Sequence, residues 1–231
     1  MKNRSWKSYL LEFFSIFIAV ISAFALNSWN ENRRDYNAET KILSEISNGL
    51  QKDIKDIQEN MMGHEWGIDA CNYFVRLVRG EVVGQDSVAQ HFLRLTRDFI
   101  SIQNRSGYEA LKSKGLEIVS DDSLRYAIIS LYEYDFTTLK KLEEEYAEMQ
   151  FYNSHFSDLN TLLSQYFVFD KEGQLVNIDL PLQLTFSQKK DLLSRLFKIE
   201  MNRKFILRFY SGIEEKVKKI KQMIRLRLEN K

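Results

Sequence analysis

An apolar stretch near the N-terminus is the longest uninterrupted hydrophobic pattern in the chain. Residues 13–30 contain no charged side chain. With the apolar residues just before them they span about 20 residues, enough to cross a hydrocarbon core of about 30 Å as a helix. Trp6 and Trp29 flank the stretch, where interfacial aromatic rings are expected. We therefore predict a transmembrane helix over residues 9–30, preceded by a basic cytoplasmic tail at residues 1–8.

Two other interpretations of this stretch are a buried helix of a soluble protein and a cleaved signal peptide. A soluble helix rarely stays apolar on every face over this length, and no compact A-x-A cleavage site ends the run. We therefore favour an uncleaved anchor. Cations in the short N-terminal tail, at Lys2, Arg4 and Lys7, disfavour its translocation and predict an extracytoplasmic C-terminal domain. Arg33 and Arg34, after the span, oppose this orientation.

Small and polar residues inside the span support two hypotheses. Small residues recur at intervals of about four, a pattern that lets transmembrane helices pack closely. The candidate association residues are Ser15, Ala19, Ser22 and Ala23. Chance is the alternative, because small residues are common in spans. Glu12 and Asn27 are the candidate intramembrane polar residues. A charge at membrane depth favours a proton site, an ion path or an interhelical hydrogen bond, whereas water at the nearby interface favours a merely solvated Glu12.

Apolar residues recur at heptad spacing at both ends of the remaining chain. They are Leu43, Ile46, Leu50, Ile54, Ile57 and Met61 near the span, and Ile206, Tyr210, Ile213, Val217, Ile220, Ile224 and Leu228 near the C-terminus. Such spacing is typical of helices that pack along a seam. No proline separates the span from the first seam, so we predict a continuous juxtamembrane helix over residues 31–62. We expect it to pack antiparallel with the last helix; two seams facing separate parts of the core are the alternative.

The whole chain is predicted to be mainly α. It would have an N-terminal transmembrane helix, then a helical bundle at residues 63–231 that packs with residues 35–62, coiled-coil-like first and last helices, and one short β-hairpin. A single proline and nine glycines in 231 residues favour long helices. Gly115, Asp121 or Asp122, and Ser187 are the predicted helix boundaries. Further helices are predicted at 68–79, 87–103, 108–114, 123–150, 156–166 and 189–201, with a hairpin or extended loop at 167–176.

Catalytic patterns are absent from the sequence. His64-Glu65 lacks the second histidine of a zinc-protease helix, and Cys71 lies on an apolar helical face without a neighbouring base, which indicates core packing. The Asp121-Asp122 pair more simply caps a helix than binds a cation. We therefore predict no catalytic, cofactor or metal site. A hydrolase with an unrecognised site at His64, Glu65 or the aspartate pair is an alternative.

Cations dominate the last helix, although the net charge of the chain is only +1. One interpretation is contact with anionic lipid head groups, because an antiparallel last helix returns toward the bilayer. The other is the solvated face of an amphipathic helix, and nucleic acid is an unlikely partner. The candidate lipid-contact residues are Lys216, Lys218, Lys219, Lys221, Arg225 and Arg227.

Residues 25–31, ALNSWNE, are similar to the end of an anchor motif, I-A-L-x-x-N-x-W-N-E, and Glu12 matches an early glutamate before it. Both features resemble a large bacterial family of single-span membrane proteins with no established activity. Residues 108–115, YEALKSKG, resemble its Y-E-x-L-K-x-S-G block, with Lys114 in place of the usual serine. An L-R-x-x-I-x-x-Y-Y helix follows in the family, and Glu133 stands here where a second tyrosine is usual. The resemblance implies a bacterial inner-membrane protein and supplies no catalytic residues.

These patterns together predict a membrane-anchored, non-enzymatic interaction protein, such as a sensor, scaffold or accessory subunit. It would self-associate, contact the bilayer, bind a protein partner of unknown identity and need no cofactor. The alternative is an oligomeric pore or membrane-perturbing effector, with Glu12, Ser15, Ser22 and Asn27 lining a channel.

Overall fold

A computed structural model describes residues 6–230, most of which are helical. The helices are α1 (Trp6–Val78), α2 (Val88–Leu95), α3 (Ser106–Lys114), α4 (Asp122–Ile129), α5 (Phe136–Glu144), α6 (Phe151–Leu163) and α7 (Phe186–Glu229). Short 3-10 turns lie at Gln85–Ser87, Leu116–Ile118, Ala147–Met149 and Ser164–Tyr166, and a π-helical turn lies at Ser130–Asp135. The strands β1 (Phe167–Phe169) and β2 (Leu175–Ile178) pair as an antiparallel hairpin. The predicted fold class is confirmed.

The helices α1 and α7 form the long axis of the bundle. They contain 73 and 44 residues, and α1 runs without a break from the apolar stretch into the core. Contacts between them run in opposite directions along the two chains: Gln58 Nε2 donates to Glu214 at 2.6 Å, whereas Arg227, later in α7, has its Nε 3.2 Å from Glu39, which is earlier in α1. The two helices are therefore antiparallel, as predicted, and most residues of both heptad seams are buried in the core.

One long helix replaces the two that the sequence predicts on either side of residues 63–67. α1 continues through Gly63 and Gly67, which interrupt the heptad pattern. Each glycine makes room for another element: an added Cβ would lie 2.2 Å from the Phe99 ring at Gly63 and 2.3 Å from Arg203 Nε at Gly67. A helical glycine costs about 1 kcal/mol relative to alanine. The glycines are thus explained by close packing and do not end the helix.

The predicted helix over residues 87–103 is wrong in its second half. Phe92, Leu95, Phe99 and Ile102 follow helical spacing, but α2 ends at Leu95 and residues 97–105 form neither helix nor strand. We call residues 97–105 the strap. Several of its backbone groups bond to buried charged side chains from α1, α5 and α7, and these bonds replace those of a helix.

Local boundary signals are right in most places. Asp121 caps α4 by accepting a hydrogen bond from a first-turn N–H at 2.9 Å, and Gly115, with φ of +102°, ends α3. Thr185, rather than the predicted Ser187, caps α7, because it forms a reciprocal capping box with Gln188.

Three further predicted segments differ in extent. The helix expected over 123–150 is interrupted by the π-helical turn and ends at Glu144, and the buried Asp135 of that turn bonds to Lys216 of α7 at 2.5 Å. The helix expected at 189–201 is only the first part of α7, while the piece at 156–166 falls in α6 and the 3-10 turn after it. The hairpin is placed as predicted, with Gly173 at positive φ in its turn.

Candidate functional site

The first part of α1 leaves its apolar side chains uncovered by the rest of the bundle. Every residue from 9 to 37 is exposed, and burial begins at Ala38. This helix is long and apolar enough to cross a membrane by length and composition, and none of its most apolar window is buried in the chain. It is therefore compatible with a membrane anchor. Lys2 and Arg4 of the predicted basic tail lie outside the described residues.

The candidate association residues and the candidate intramembrane polar residues of this segment lie on one face of α1, whereas Ala25 and Ser28 lie outside it. At about 100° per residue, six of them fall within an arc of about 140°. This small-residue face comprises Glu12, Ser15, Ala19, Ser22, Ala23 and Asn27, and the larger Ile16 and Leu26 share the arc. Phe13, Phe17 and Phe24 lie on the opposite side of the helix. Ser15 Oγ donates to the backbone carbonyl of Glu12 at 2.8 Å, so the donor of this hydroxyl is already satisfied at membrane depth.

Most of the cations predicted to touch lipid are bonded within the chain. The pairs are Lys216–Asp135, Lys218–Glu214, Lys221–Gln51, Arg225–Glu229 and Arg227–Glu39. At a rise of about 1.5 Å per residue, Gln51 lies about 31 Å beyond Asn30, and Glu39 lies about 13 Å beyond it. Surface charges act over about 8 Å at physiological salt. Lipid contact stays a prediction, and this spacing favours it for Arg227 over Lys216, Lys218, Lys219 and Lys221.

A buried arginine of α7 holds one end of the strap. Arg203 is fully buried, and its Nη1 lies 3.1 Å from His64 Nδ1. Its Nη2 donates to the backbone carbonyls of Arg94, Leu95 and Arg97, at 3.3, 3.1 and 2.9 Å. The last carbonyls of a helix carry partial negative charge, so the guanidinium stabilises the end of α2. The Phe151 ring lies 4.1 Å from the guanidinium carbon, which adds a cation–π contact.

Burial sets the charge states around this arginine. Desolvation lowers the pKa of Arg203 to about 10, which leaves it charged at neutral pH. Desolvation, with the nearby Arg203 charge, lowers the pKa of His64 to about 3, so this ring is neutral. Burial also raises the pKa of the Cys71 thiol to about 12. At neutral pH the His64 ring and the Cys71 thiol are therefore uncharged, whereas Arg203 is charged and hydrogen-bonds to His64 and to backbone carbonyls.

Three carboxylates hold the other end of the strap. The N–H groups of Asn104, Ile102 and Ser101 donate to Asp53, Asp56 and Glu143, at 2.7, 3.0 and 3.2 Å. Tyr210 of α7 donates its hydroxyl to the second oxygen of Glu143. Burial raises the pKa of Glu143 to about 7 and that of Asp53 to about 6. Within residues 6–230 no group of three His, Cys, Asp or Glu side chains is arranged to hold a metal ion. The three carboxylates therefore hold the backbone of the strap in place.

The residues of the hydrolase alternative lie far apart. His64 is buried against Arg203, whereas Glu65 is exposed. Asp121 caps α4, and Asp122 pairs with Arg125 at 2.5 Å. Ser120, next to this pair, bonds to Glu39, which is about 37 Å from His64 along α1 at 1.5 Å per residue. The structure therefore does not bring the two candidate places together.

A polar groove lies where α1 enters the bundle, and sequence reasoning missed it. It has a volume of about 450 Å³ between α1, the α3–α4 connection and the end of α7. One wall contains Asn32, Asp35 and Tyr36, and the facing wall contains Lys114 and Glu117. Behind them Glu39 is 3% exposed and accepts hydrogen bonds from Ser120 and Arg227. These partners are 81 and 188 residues from Glu39 in sequence, so no local pattern predicts them.

Comparison of the chain with models of known protein families, with curated proteins and with solved structures finds no match. The family resemblance of the sequence motifs therefore stays a prediction.

Proposed function

We propose that this chain is a single-span protein of a bacterial inner membrane and acts as a non-enzymatic interaction protein, in the manner of a sensor, scaffold or accessory subunit. One observation supports this most: the apolar side chains at residues 9–30 are uncovered and belong to the same helix that organises the bundle. An apolar surface of this extent is unfavourable in water. A bilayer removes that cost and leaves the helical domain outside it.

The unbroken path of α1 fits a role in relaying or presenting a signal. The helix enters the bundle between Asn30 and Ala38 without a proline, a glycine or a turn. Any change in tilt or rotation of the span would therefore move the buried half of α1, and with it the antiparallel α7. A sensor that relays a signal across the membrane needs such coupling, whereas a domain tethered by a flexible linker lacks it.

Self-association through the small-residue face is the second part of this proposal. Small side chains let two helix backbones approach closely in a bilayer, where van der Waals contact drives association. The larger Phe13, Phe17 and Phe24 on the opposite side would face lipid. The cations at Lys2, Arg4 and Lys7 support an orientation with the N-terminus in the cytoplasm and the bundle outside it.

The test is the mass of the full-length protein in detergent, measured by light scattering. The Ala19→Leu/Ala23→Leu variant adds bulk to the small-residue face and is expected to be monomeric. The matched control is Ala25→Leu, which makes the same change about 160° from Ala23 on the helix and is expected to keep the oligomer. A monomeric parent chain, or oligomers that survive all of these substitutions, would remove self-association through this face.

An oligomeric pore is the second candidate, because Glu12 lies on the same face as Ser15, Ser22 and Asn27. Around a ring of spans this face would present polar groups to the axis. Ion flux through proteoliposomes tests this function. A Glu12→Gln variant that abolishes the flux would support a pore, and absence of flux from the parent chain would refute it.

A further inference from the structure

The charges that line the polar groove are of both signs and differ in how firmly they are held. Glu39, Ser120 and Arg227 bond to one another and form a fixed network at the back. Toward the opening lie one cation, Lys114, and two carboxylates, which are Asp35 and Glu117; all three are exposed.

These three side chains are available to a ligand. Among the described residues, none lies within ion-pairing distance of Lys114, Asp35 or Glu117. A ligand that satisfies them carries an anion for the lysine and a hydrogen-bonding cation for the carboxylates. A purely anionic ligand would meet two carboxylates against one lysine. The groove is thus complementary to a compact zwitterion, and its volume of about 450 Å³ lies in the usual range for small-molecule sites.

The distance of the groove from the membrane surface indicates which molecule supplies that zwitterion. This step rests on the proposed membrane anchor, with Asn30 at the edge of the hydrocarbon core. Asn32, Asp35 and Tyr36 then lie about 3, 7 and 9 Å beyond the edge. The head-group layer on each side of a bilayer is about 5–8 Å thick. The opening of the groove therefore lies at the level of the phospholipid head groups.

We propose that this groove binds the head group of a zwitterionic phospholipid that carries a primary ammonium, namely phosphatidylethanolamine. Lys114 would pair with the phosphate, and Asp35 and Glu117 would accept hydrogen bonds from the ammonium. A primary ammonium donates three hydrogen bonds, as lysine does. The quaternary ammonium of phosphatidylcholine donates none, and phosphatidylglycerol has no cation at all. A bound head group would fix the bundle against the membrane and oppose rotation of α1.

The experiment is native mass spectrometry of the full-length protein released from detergent micelles. The protein is incubated with phosphatidylethanolamine, phosphatidylcholine or phosphatidylglycerol of equal chain length. We expect phosphatidylethanolamine to be retained about tenfold more than the other two, as charge-assisted hydrogen bonds imply. The Asp35→Asn/Glu117→Gln variant is expected to lose this preference. The matched control, Glu109→Gln/Asp122→Asn, removes two exposed carboxylates outside the groove and is expected to keep it.

Three results would overturn the inference: equal retention of the three lipids, preference for phosphatidylglycerol, or a preference for phosphatidylethanolamine that survives in Asp35→Asn/Glu117→Gln. Circular dichroism of both variants verifies that they are folded, as their exposed positions lead us to expect. Alkaline extraction of membranes from the same cells separates the two hypotheses. A chain that leaves the membrane refutes the anchor, and the inference with it. A chain that stays without lipid preference refutes the head-group site alone.

Discussion

Replacing Arg203 with methionine is expected to release the end of the strap that follows α2. The guanidinium is fully buried and donates to three backbone carbonyls at 2.9–3.3 Å. Methionine occupies similar space beside Phe151 but leaves those carbonyls without a donor. Each orphaned buried acceptor costs about 1–3 kcal/mol, and removal of a desolvated charge returns part of that cost. We therefore expect the free energy of unfolding to fall by about 3–5 kcal/mol.

The assay is denaturant unfolding of the full chain in detergent, followed by circular dichroism. Hydrogen–deuterium exchange locates the change, and we expect faster exchange in residues 94–105. The matched control is Arg208→Met, an exposed arginine on the same helix, for which a change within about 0.5 kcal/mol is expected. If both variants unfold at the same denaturant concentration and residues 94–105 exchange as in the parent, Arg203 does not hold the strap.

Two further predictions concern the same core. Gly67→Ala is expected to lower the free energy of unfolding by about 1–3 kcal/mol, because the new methyl would lie 2.3 Å from Arg203 Nε. Gly212→Ala, which meets only open space on α7, is expected to raise it by about 0.5–1 kcal/mol; thermal melts that shift in the same direction for both variants would contradict this reasoning. Burial raises the pKa of Glu143 from 4.5 to about 7, so the folded state binds this proton more tightly than the unfolded chain. Stability should be greatest below about pH 4.5 for this group and fall by about 3 kcal/mol as the pH rises to about 7. Unfolding measured across that range should show a weaker pH dependence in Glu143→Gln, and an unchanged dependence would refute the assignment.

Periodicity along the chain was enough to predict which faces of α1 and α7 are buried, although not the full length of either helix. The heptad residues of α1 and α7 are buried because their spacing keeps one face of each helix toward the core. Asp121 caps α4 with its own side chain, and Gly115 ends α3 because glycine adopts positive φ easily; both signals can be recognised from the residue type alone. In each of these cases the cause lies within a few residues of its effect.

The strap could not be predicted because its causes lie far away in sequence. Phe99 and Ile102 have helical spacing, but the backbone of this segment is held by Glu143 and Asp56, which are 42 to 46 residues distant. Arg203, more than 100 residues away, holds the preceding carbonyls. A buried charged side chain that binds a distant backbone group produces no periodic pattern in the sequence. The polar groove was missed for the same reason.

Alkaline carbonate extraction of membranes from cells that express the full chain tests whether residues 9–30 hold this protein in a membrane. We expect the protein to stay in the membrane pellet after extraction, since about 20 apolar residues in one helix insert stably into lipid. Recovery of the unmodified chain in the supernatant would contradict it, and the exposed apolar face of α1 would then need a protein partner.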